Sequence, residues 1–468
     1  MTDPFFTRKR KTTGTIPPTS SKKRKGKPTP TISNANDEEI LSDDETGLVE
    51  TDGSITESES ERETPAEKRR RLAKQYIESV KNNIGEGEID AAEIDRDLIA
   101  ERLKTDALEK TGRAFKEIAD TFKFPIDPTS LKSGRHDLAV TCIAIADNFK
   151  YFYTASKDCS IKKWDVDTGR KLHEFPGGRK SVKQFDGHTD HVLSLALSSD
   201  GKYLASGGAD KKINIWNVDD NKFLKCFWQH KDAVTALAFR KGANQLYSAS
   251  KDRSIKVWNI DELSYVETLY GHQDQVMAID ALFFERCVTV GSGDRTCRLW
   301  KIAKESQLVF RAGDKKEVHP GGGLDAVAMI DEDNFLTGSD NGTISLWNVN
   351  KKKPVYSYPL SHGSVETFCS GSLKIDNPRW IISLATLRYS NLFASGSWDG
   401  QIRLWKIKSG LRSFDLISSI PVLGFINSLS FLTSEKKTYL VIGAGQEHRL
   451  GRWERIKEAK NRWKSVEL

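Results

Sequence analysis

The sequence predicts an all-β fold, a seven-bladed β-propeller preceded by a charged tail and a helical extension. Three observations predict it. A tryptophan recurs at Trp164, Trp216, Trp258, Trp300, Trp347, Trp405 and Trp453, at intervals of 52, 42, 42, 47, 58 and 48 residues. A histidine keeps step with it, since His136, His188, His230, His272 and His319 each lie 28 positions before the tryptophan that closes their repeat. An aspartate lies six before it, at Asp158, Asp210, Asp252, Asp294 and Asp399. Intervals in the forties match one four-stranded blade per repeat, and the longer ones read as loop insertions.

The first element is the tail, residues 1–63. Nine Lys or Arg and one acid fall within positions 1–27, while twelve acids and one Arg fall within 37–63. Such blocks stay solvated and do not collapse, so the tail is expected to be disordered. Arg8, Lys9, Arg10 and Lys11, followed by Lys22, Lys23, Arg24 and Lys25, form two basic tetrads spaced as in a bipartite nuclear import signal. A merely solvated tail is the alternative. Ser42, Ser58 and Ser60 lie among acids that suit acid-directed kinases.

Residues 64–123 are expected as a helical extension. Thr64 at the N-cap, Pro65 at the first helical position and Glu67 at N3 make a capping box, followed by Leu72, Tyr76, Ile77 and Val80. After Gly85–Gly87, a second pattern sets Ile94, Leu98, Ile99, Leu103, Phe115, Ile118 and Phe122 largely on one face. That face either packs on its own domain or docks a partner.

The propeller is expected over residues 130–456. Its strands alternate at period two, as in Ile213–Trp216, Ile255–Trp258 and Ile402–Trp405. A hydroxyl precedes the aspartate at Thr154, Ser206, Ser248 and Ser395, with Thr337 at the matching place in blade 5. A buried indole N–H or imidazole needs a partner, and a His–hydroxyl–Asp–Trp chain inside each blade supplies one. His188, Ser206, Asp210 and Trp216 are such a set, as are His230, Ser248, Asp252 and Trp258; His272, Asp294 and Trp300 belong to another. One set per blade, spread around a ring, cannot converge on a substrate or a metal, so these groups are expected to be structural. Departures are Asn341 at the acid position of blade 5, and Glu447 and Phe425 at the acid and histidine positions of blade 7. Blade 6 has Asn377 at the histidine position unless His362 fills it ahead of an insertion. Residues 457–468 complete the chain as a basic C-terminal extension.

Composition narrows the function classes. In 468 residues, 37% hydrophobic content permits a large core, and a net charge of +7 with pI near 8.8 hints at anionic partners. The six cysteines have no CxxC or metal-ligand spacing, which fits a reducing compartment and predicts no metal and no cofactor. No run approaches the ~18–20 uncharged apolar residues of a membrane span, nor is there an apolar signal core, so neither membrane insertion nor secretion is expected. There is no GxxxxGK[ST] loop, HExxH or GxSxG, so no enzyme and no small-molecule substrate are expected.

The spacings resemble those of WD repeats, and particular loops resemble one subfamily. They are Gly271–Val276, Glu285–Thr289 with Leu299–Ile302, Pro421–Leu429 and, above all, Gly445–Trp453 continuing as Glu454–Lys460. Together they resemble the WD-repeat subunits specific to the U3 small nucleolar ribonucleoprotein, over roughly residues 110–461. The resemblance implies a nuclear, nucleolar protein that binds the box B/C region of U3 RNA beside a kink-turn-binding protein and other box C/D particle proteins. It further implies contacts with small-subunit processome proteins and a role in precursor rRNA processing to 18S rRNA.

Residues that suit RNA lie in two places. Arg449, Arg452, Arg455 and Lys457 sit in a C-terminal run where cations outnumber acids; at a blade edge they would meet phosphates, and otherwise they brace blade 7. Arg179, Lys180 and Lys183, between Gly177–Gly178 and Phe185, form either a basic loop that meets phosphates beside a stacking ring or an ordinary solvated connection. The rival is a protein-only scaffold or adaptor, such as a ubiquitin-ligase receptor or chromatin reader. Receptors of the ligase type tend to carry an acid one residue after the tryptophan and Arg or Lys three after it, and no blade satisfies both.

Overall fold

The structure, a computed structural model, describes residues 68–72, 74–75, 102–109, 113–122, 132–146, 149–179, 185–312, 322–369, 373–433 and 437–468. The chain divides into two compact units, 1–85 and 86–468. In the first, 68–72 and 74–75 are helical; both basic tetrads and the Thr64–Glu67 cap fall outside the described residues.

Seven four-stranded antiparallel sheets make up the propeller. Blade 1 is Val140–Ile145, Tyr151–Ser156, Ile161–Asp165 and Lys171–Phe175; blade 2 is Val192–Leu197, Tyr203–Gly208, Ile213–Asn217 and Lys222–Phe227. Blade 3 is Val234–Phe239, Gln245–Ser250, Ser254–Asn259 and Ser264–Tyr270; blade 4 is Val276–Ala281, Arg286–Gly291, Thr296–Lys301 and Ser306–Arg311. Blade 5 is Leu324–Met329, Asn334–Ser339, Ile344–Asn348 and Tyr356–Tyr358; blade 6 is Ser383–Thr386, Leu392–Gly396, Gln401–Ile407 and Phe414–Pro421. The first strands of successive blades touch in sequence around a ring, which closes where the first strand of blade 7 meets that of blade 1. Inner strands are buried on both faces between neighbouring blades, whereas outer ones such as Lys222–Phe227 are largely exposed. Each interface between blades is therefore a small apolar core, such as that of Tyr247, Ile255 and Val257 with Val276, Cys287 and Trp300.

Blade 7 departs from expectation. Its strands are Phe425–Thr433, Thr438–Gly445, Arg462–Glu467 and, from the start of the domain, Lys132–Arg135, which pairs outside Arg462–Glu467. Trp453 does not close this blade; it lies in the connection, 56% exposed. Leu440 pairs with Val466 as Leu204 pairs with Trp216 in blade 2, so Val466 holds the indole position. The same register places Ile442 at the hydroxyl position, Val422 at the histidine position and Gln446 at the acid position, correcting Phe425 and Glu447. Counting back from Trp453 failed because the turn before the third strand is extended here to sixteen residues, 446–461. The expected C-terminal extension thus supplies a blade strand. Trp463, on that strand, packs edge-on against Trp164 at 5.3 Å and Phe152 at 4.8 Å, sealing blade 7 to blade 1.

Blade 6 resolves the other ambiguity. Ser364–Cys369 and Leu373–Pro378 form a separate hairpin, so His362 belongs to the blade and Asn377 to the insertion. The helical stripe is shorter than expected. Residues 102–109 are helical, but 113–122 are not; they lie on the propeller, with Ile118 and Phe122 against a core of Ala119, Leu387 and Leu392. The amide N–H groups of Ile118 and Ala119 both donate to Asn391 Oδ1 at 2.9 Å, and Lys406 pairs with Asp120 at 2.6 Å. These backbone bonds outcompete continuation of the helix.

Candidate functional site

The repeating histidines and aspartates make an internal network, not a centre. In blade 3, His230 Nε2 and Trp258 Nε1 meet Ser248 Oγ at 2.8 and 2.9 Å, while His230 Nδ1 lies 2.9 Å from Asp252 Oδ2. Blade 2 repeats the pattern with His188, Ser206, Asp210 and Trp216, and blade 6 with His362, Ser395, Asp399 and Trp405. In blade 4 His272 and Trp300 share Thr289 while His272 also meets Asp294; the sequence reading missed Thr289 because its turn is one residue longer. Blade 1 is looser, His136 Nδ1 standing 3.6 Å from Asp158. Blade 5 keeps only the Trp347–Thr337 bond among the described residues, His319 lying outside them. Burial alone would raise the Asp294 carboxyl, but the hydrogen bond from His272 and the N–H groups of Thr296 and Gln273 hold it near 2. Each set is closed on itself, and no cluster of three or more metal-ligating side chains exists among the described residues.

The connection 446–461 is the most individual surface of the ring. Glu447, buried, is the hub of an ion-pair cluster: Arg452 Nε at 2.7 Å, Lys157 Nζ at 3.5 Å and Arg455 Nε at 3.9 Å. Arg455 also donates to Gln446 Oε1 at 2.7 Å. Burial raises Glu447, but Arg452 and Lys157 outweigh it and keep the carboxylate charged. Arg452 and Arg455 remain 67% and 54% exposed despite these bonds, and Lys457 is exposed, so all three present charge outward.

Arg449 does not emerge at a blade edge. Its guanidinium enters the central channel and donates to the carbonyls of Thr235 (3.4 Å) and Met277 (3.1 Å), on the first strands of blades 3 and 4. Asp325, on the first strand of blade 5, is its principal counter-charge; burial and Asp340 push that carboxyl up to about 6, against the pull of Arg449. Arg449 is therefore a strut across the channel, not a cation at a blade edge.

Beside it, His448 is packed at 4.8 Å from Trp453 and 5.8 Å from Trp380. Burial, then the charges of Arg449, Lys157 and Lys251, hold its imidazole down at about 3, so the ring is neutral. Trp380 and Trp398 were missed in the sequence, although four of the eleven tryptophans fall outside the assigned set, a signal in itself. In the basic loop between blades 1 and 2, Arg179 is exposed; Lys180 and Lys183 lie outside the described residues. Phe185 is held against Gly178 and Gly187, where a Cβ would come within 2.5 Å of the ring.

The WD domain, G-beta repeat, matches residues 129–165, 179–217, 221–259, 263–301, 317–348 and 368–406. Six matches meet seven blades, the unmatched blade 7 being the one without the polar network. The chain is 48% identical over 401 residues to the mouse "U3 small nucleolar RNA-interacting protein 2", covering 85% of this chain and 81% of that one. It is 34% identical over 524 residues to "Ribosomal RNA-processing protein 9" of Saccharomyces cerevisiae, covering 89% and 90%. A solved structure described as "Structure of U3-55K" matches with TM-score 0.67 and 46% identity, over 74% of this chain and 100% of that one.

Proposed function

Because the chain belongs to the family of WD-repeat U3 small nucleolar ribonucleoprotein proteins, we propose that it is a non-catalytic subunit of that particle. In this reading it binds the box B/C region of U3 RNA, together with a kink-turn-binding protein and processome proteins, and supports precursor rRNA processing to 18S rRNA. It acts in the nucleolus, with the two basic tetrads of the tail directing import. The observation that carries the reading is similarity to U3-associated and rRNA-processing relatives along most of both chains.

The chemistry of the surface agrees. Every buried His–Asp pair is consumed within its blade, leaving no described acid–base pair free for catalysis at a converging site. Arg452, Arg455, Lys457 and Arg179 offer outward positive charge suited to phosphate. The test is binding of the full chain to labelled box B/C RNA, with and without the kink-turn-binding protein, against a scrambled RNA across a salt series. Selective binding that weakens with salt supports the proposal. Equal affinity for both RNAs removes the box B/C assignment, and binding to neither leaves a protein-only scaffold as the better reading.

A further inference from the structure

Two structurally equivalent positions vary together around the ring. The first is the left-handed residue in the tight turn between the second and third strands. It is Cys159, Gly342 and Gly400 in blades 1, 5 and 6, but Lys211, Arg253 and Arg295 in blades 2, 3 and 4, at φ of 68°, 68° and 53°. Glycine is the unstrained choice there, so three consecutive blades hold a cation where the backbone disfavours any side chain. The second position is where the outer strand runs past the end of the sheet beside that turn. Phe227 pairs with Ile213, placing Trp228 beyond it; Tyr270 pairs with Ser254 and Arg311 with Thr296. The same register gives Pro176, Pro359 and Pro421 in blades 1, 5 and 6. Among the six blades with this tight turn, those with a cation in it thus carry Trp, Tyr or Arg at the strand end and those without one carry proline; blade 7, with the connection 446–461 in place of the turn, carries Arg135.

Trp228 is 81% exposed and Tyr270 74%, a level that large aromatic side chains rarely show. Lys211, Arg253, Arg295, Lys231 and Arg311 are exposed around them. The acids of the same turns are turned inward: Asp210, Asp252 and Asp294 face His188, His230 and His272. Asp232 is the exposed exception. Of the residues flanking the two rings in sequence, Gln229 and Gly271 are polar or small, Phe227 is buried and Leu269 packs against the blade core, so neither ring has an exposed apolar neighbour along the chain. Isolated π-faces alternating with cations match single-stranded nucleic acid, whose bases stack while its phosphates meet Lys and Arg.

We propose that the outer rim of blades 2–4 is a docking arc for single-stranded RNA, in which Trp228 and Tyr270 stack unpaired bases and Lys211, Arg253 and Arg295 hold the intervening phosphates. The proposal rests on the reading of the chain as an RNA-binding subunit. It locates a second contact, on the outer strands of blades 2–4 and distinct from the residues of the connection 446–461.

The test uses the full chain, fluorescence anisotropy, and two RNAs: box B/C RNA with the kink-turn-binding protein, and an unstructured uridine 12-mer. Trp228→Ala and Tyr270→Ala should each weaken 12-mer binding roughly tenfold. Trp228→Phe should restore most of the loss, and Arg253→Gly with Arg295→Gly should flatten the salt dependence by about 1.4 in log–log slope. Both rings are solvent-exposed, and a thermal melt indistinguishable from the parent verifies that each variant folds. Unchanged 12-mer affinity in the double alanine variant overturns the arc and assigns the rim to a protein partner. A 12-mer bound through these rings without preference for box B/C RNA leaves the arc standing and removes the U3 assignment. Failure to bind either RNA removes both.

Discussion

Blades 3 and 7 stabilise the same four-stranded sheet by opposite means. Blade 3 ties its strands together through Ser248, which meets both His230 and Trp258, and its turn is a tight three-residue crossing, 251–253, anchored by Asp252. Blade 7 has Val422, Ile442 and Val466 at the equivalent positions, all fully buried in one apolar cluster. Its outer strand arrives from the opposite end of the domain. A polar network demands correct geometry at every member; an apolar blade demands only volume. Freed of the aspartate that pins the turn, blade 7 accommodates the connection 446–461, and with it the surface that most distinguishes this ring. The network confers repeat-like rigidity, and its absence gives room for a specialised loop.

The largest expected effect is at the closure. Trp463→Ala removes a fully buried indole between blades 7 and 1 and should lower stability by about 3–5 kcal/mol in chemical denaturation. An equal loss from Tyr265→Ala, at a half-exposed ring on the outer strand of blade 3, would show that closure holds no special place. Next is Ser248→Ala, which strands an imidazole and an indole N–H together and should cost about 2–4 kcal/mol, measured the same way. Ile442→Ala in blade 7, which removes packing but leaves no polar atom without a partner, should cost about 2–3 kcal/mol with little pH dependence. If Ser248→Ala proves neutral, the contrast between polar and apolar blades has no energetic content.

The two regions also differ in how far the sequence revealed them. Blades 2 and 3 were legible to the residue because the network fixes spacing: His, Ser, Asp and Trp stand at constant offsets only when the turns between them are constant. His362 was recoverable despite a hairpin insertion for the same reason, since a buried imidazole needs Ser395 and Asp399. Where the network is absent the ruler is absent too. Trp453 mimicked the period while Val466, invisible as a motif, held the position. Arg449 misled because charge in a sequence reads as surface, and nothing local shows that its loop folds over a channel lined with carbonyls. Trp228 and Tyr270 signal themselves only when blades are aligned by strand register, which requires the fold.

Acid should separate the two regions further. His448 is held at about 3 in the folded chain against about 6.5 unfolded, so protonation favours unfolding. Its contribution is complete above pH 6.5 and is lost as pH falls from 6.5 towards 3. Across that window unfolding free energy should fall by up to about 1.4 kcal/mol per pH unit. His448→Phe, which keeps a ring against Trp453 and cannot protonate, should remove most of this slope. The network carboxylates act lower on the scale: Asp294, depressed to near 2, contributes stability that is present above pH 4 and lost as pH falls through 2. A slope unaltered in His448→Phe would place the acid sensitivity in the network blades instead.

The smallest effect is the most diagnostic for the rim. Arg253 sits at φ 68° in the turn of blade 3, a conformation that costs a side-chain-bearing residue about 1 kcal/mol relative to glycine. Gly342 and Gly400 occupy the same turn in blades 5 and 6, so the backbone geometry is already compatible with glycine in this ring. Arg253→Gly should therefore leave stability unchanged or raise it by about 0.5–1 kcal/mol, after the greater entropy of glycine in the unfolded chain offsets part of the relieved strain. In this turn the Arg253 side chain faces solvent. Higher stability together with weaker RNA binding is the signature of a side chain kept for contact. Lower stability would instead make Arg253 a structural part of blade 3 and remove the strain argument from blades 2–4.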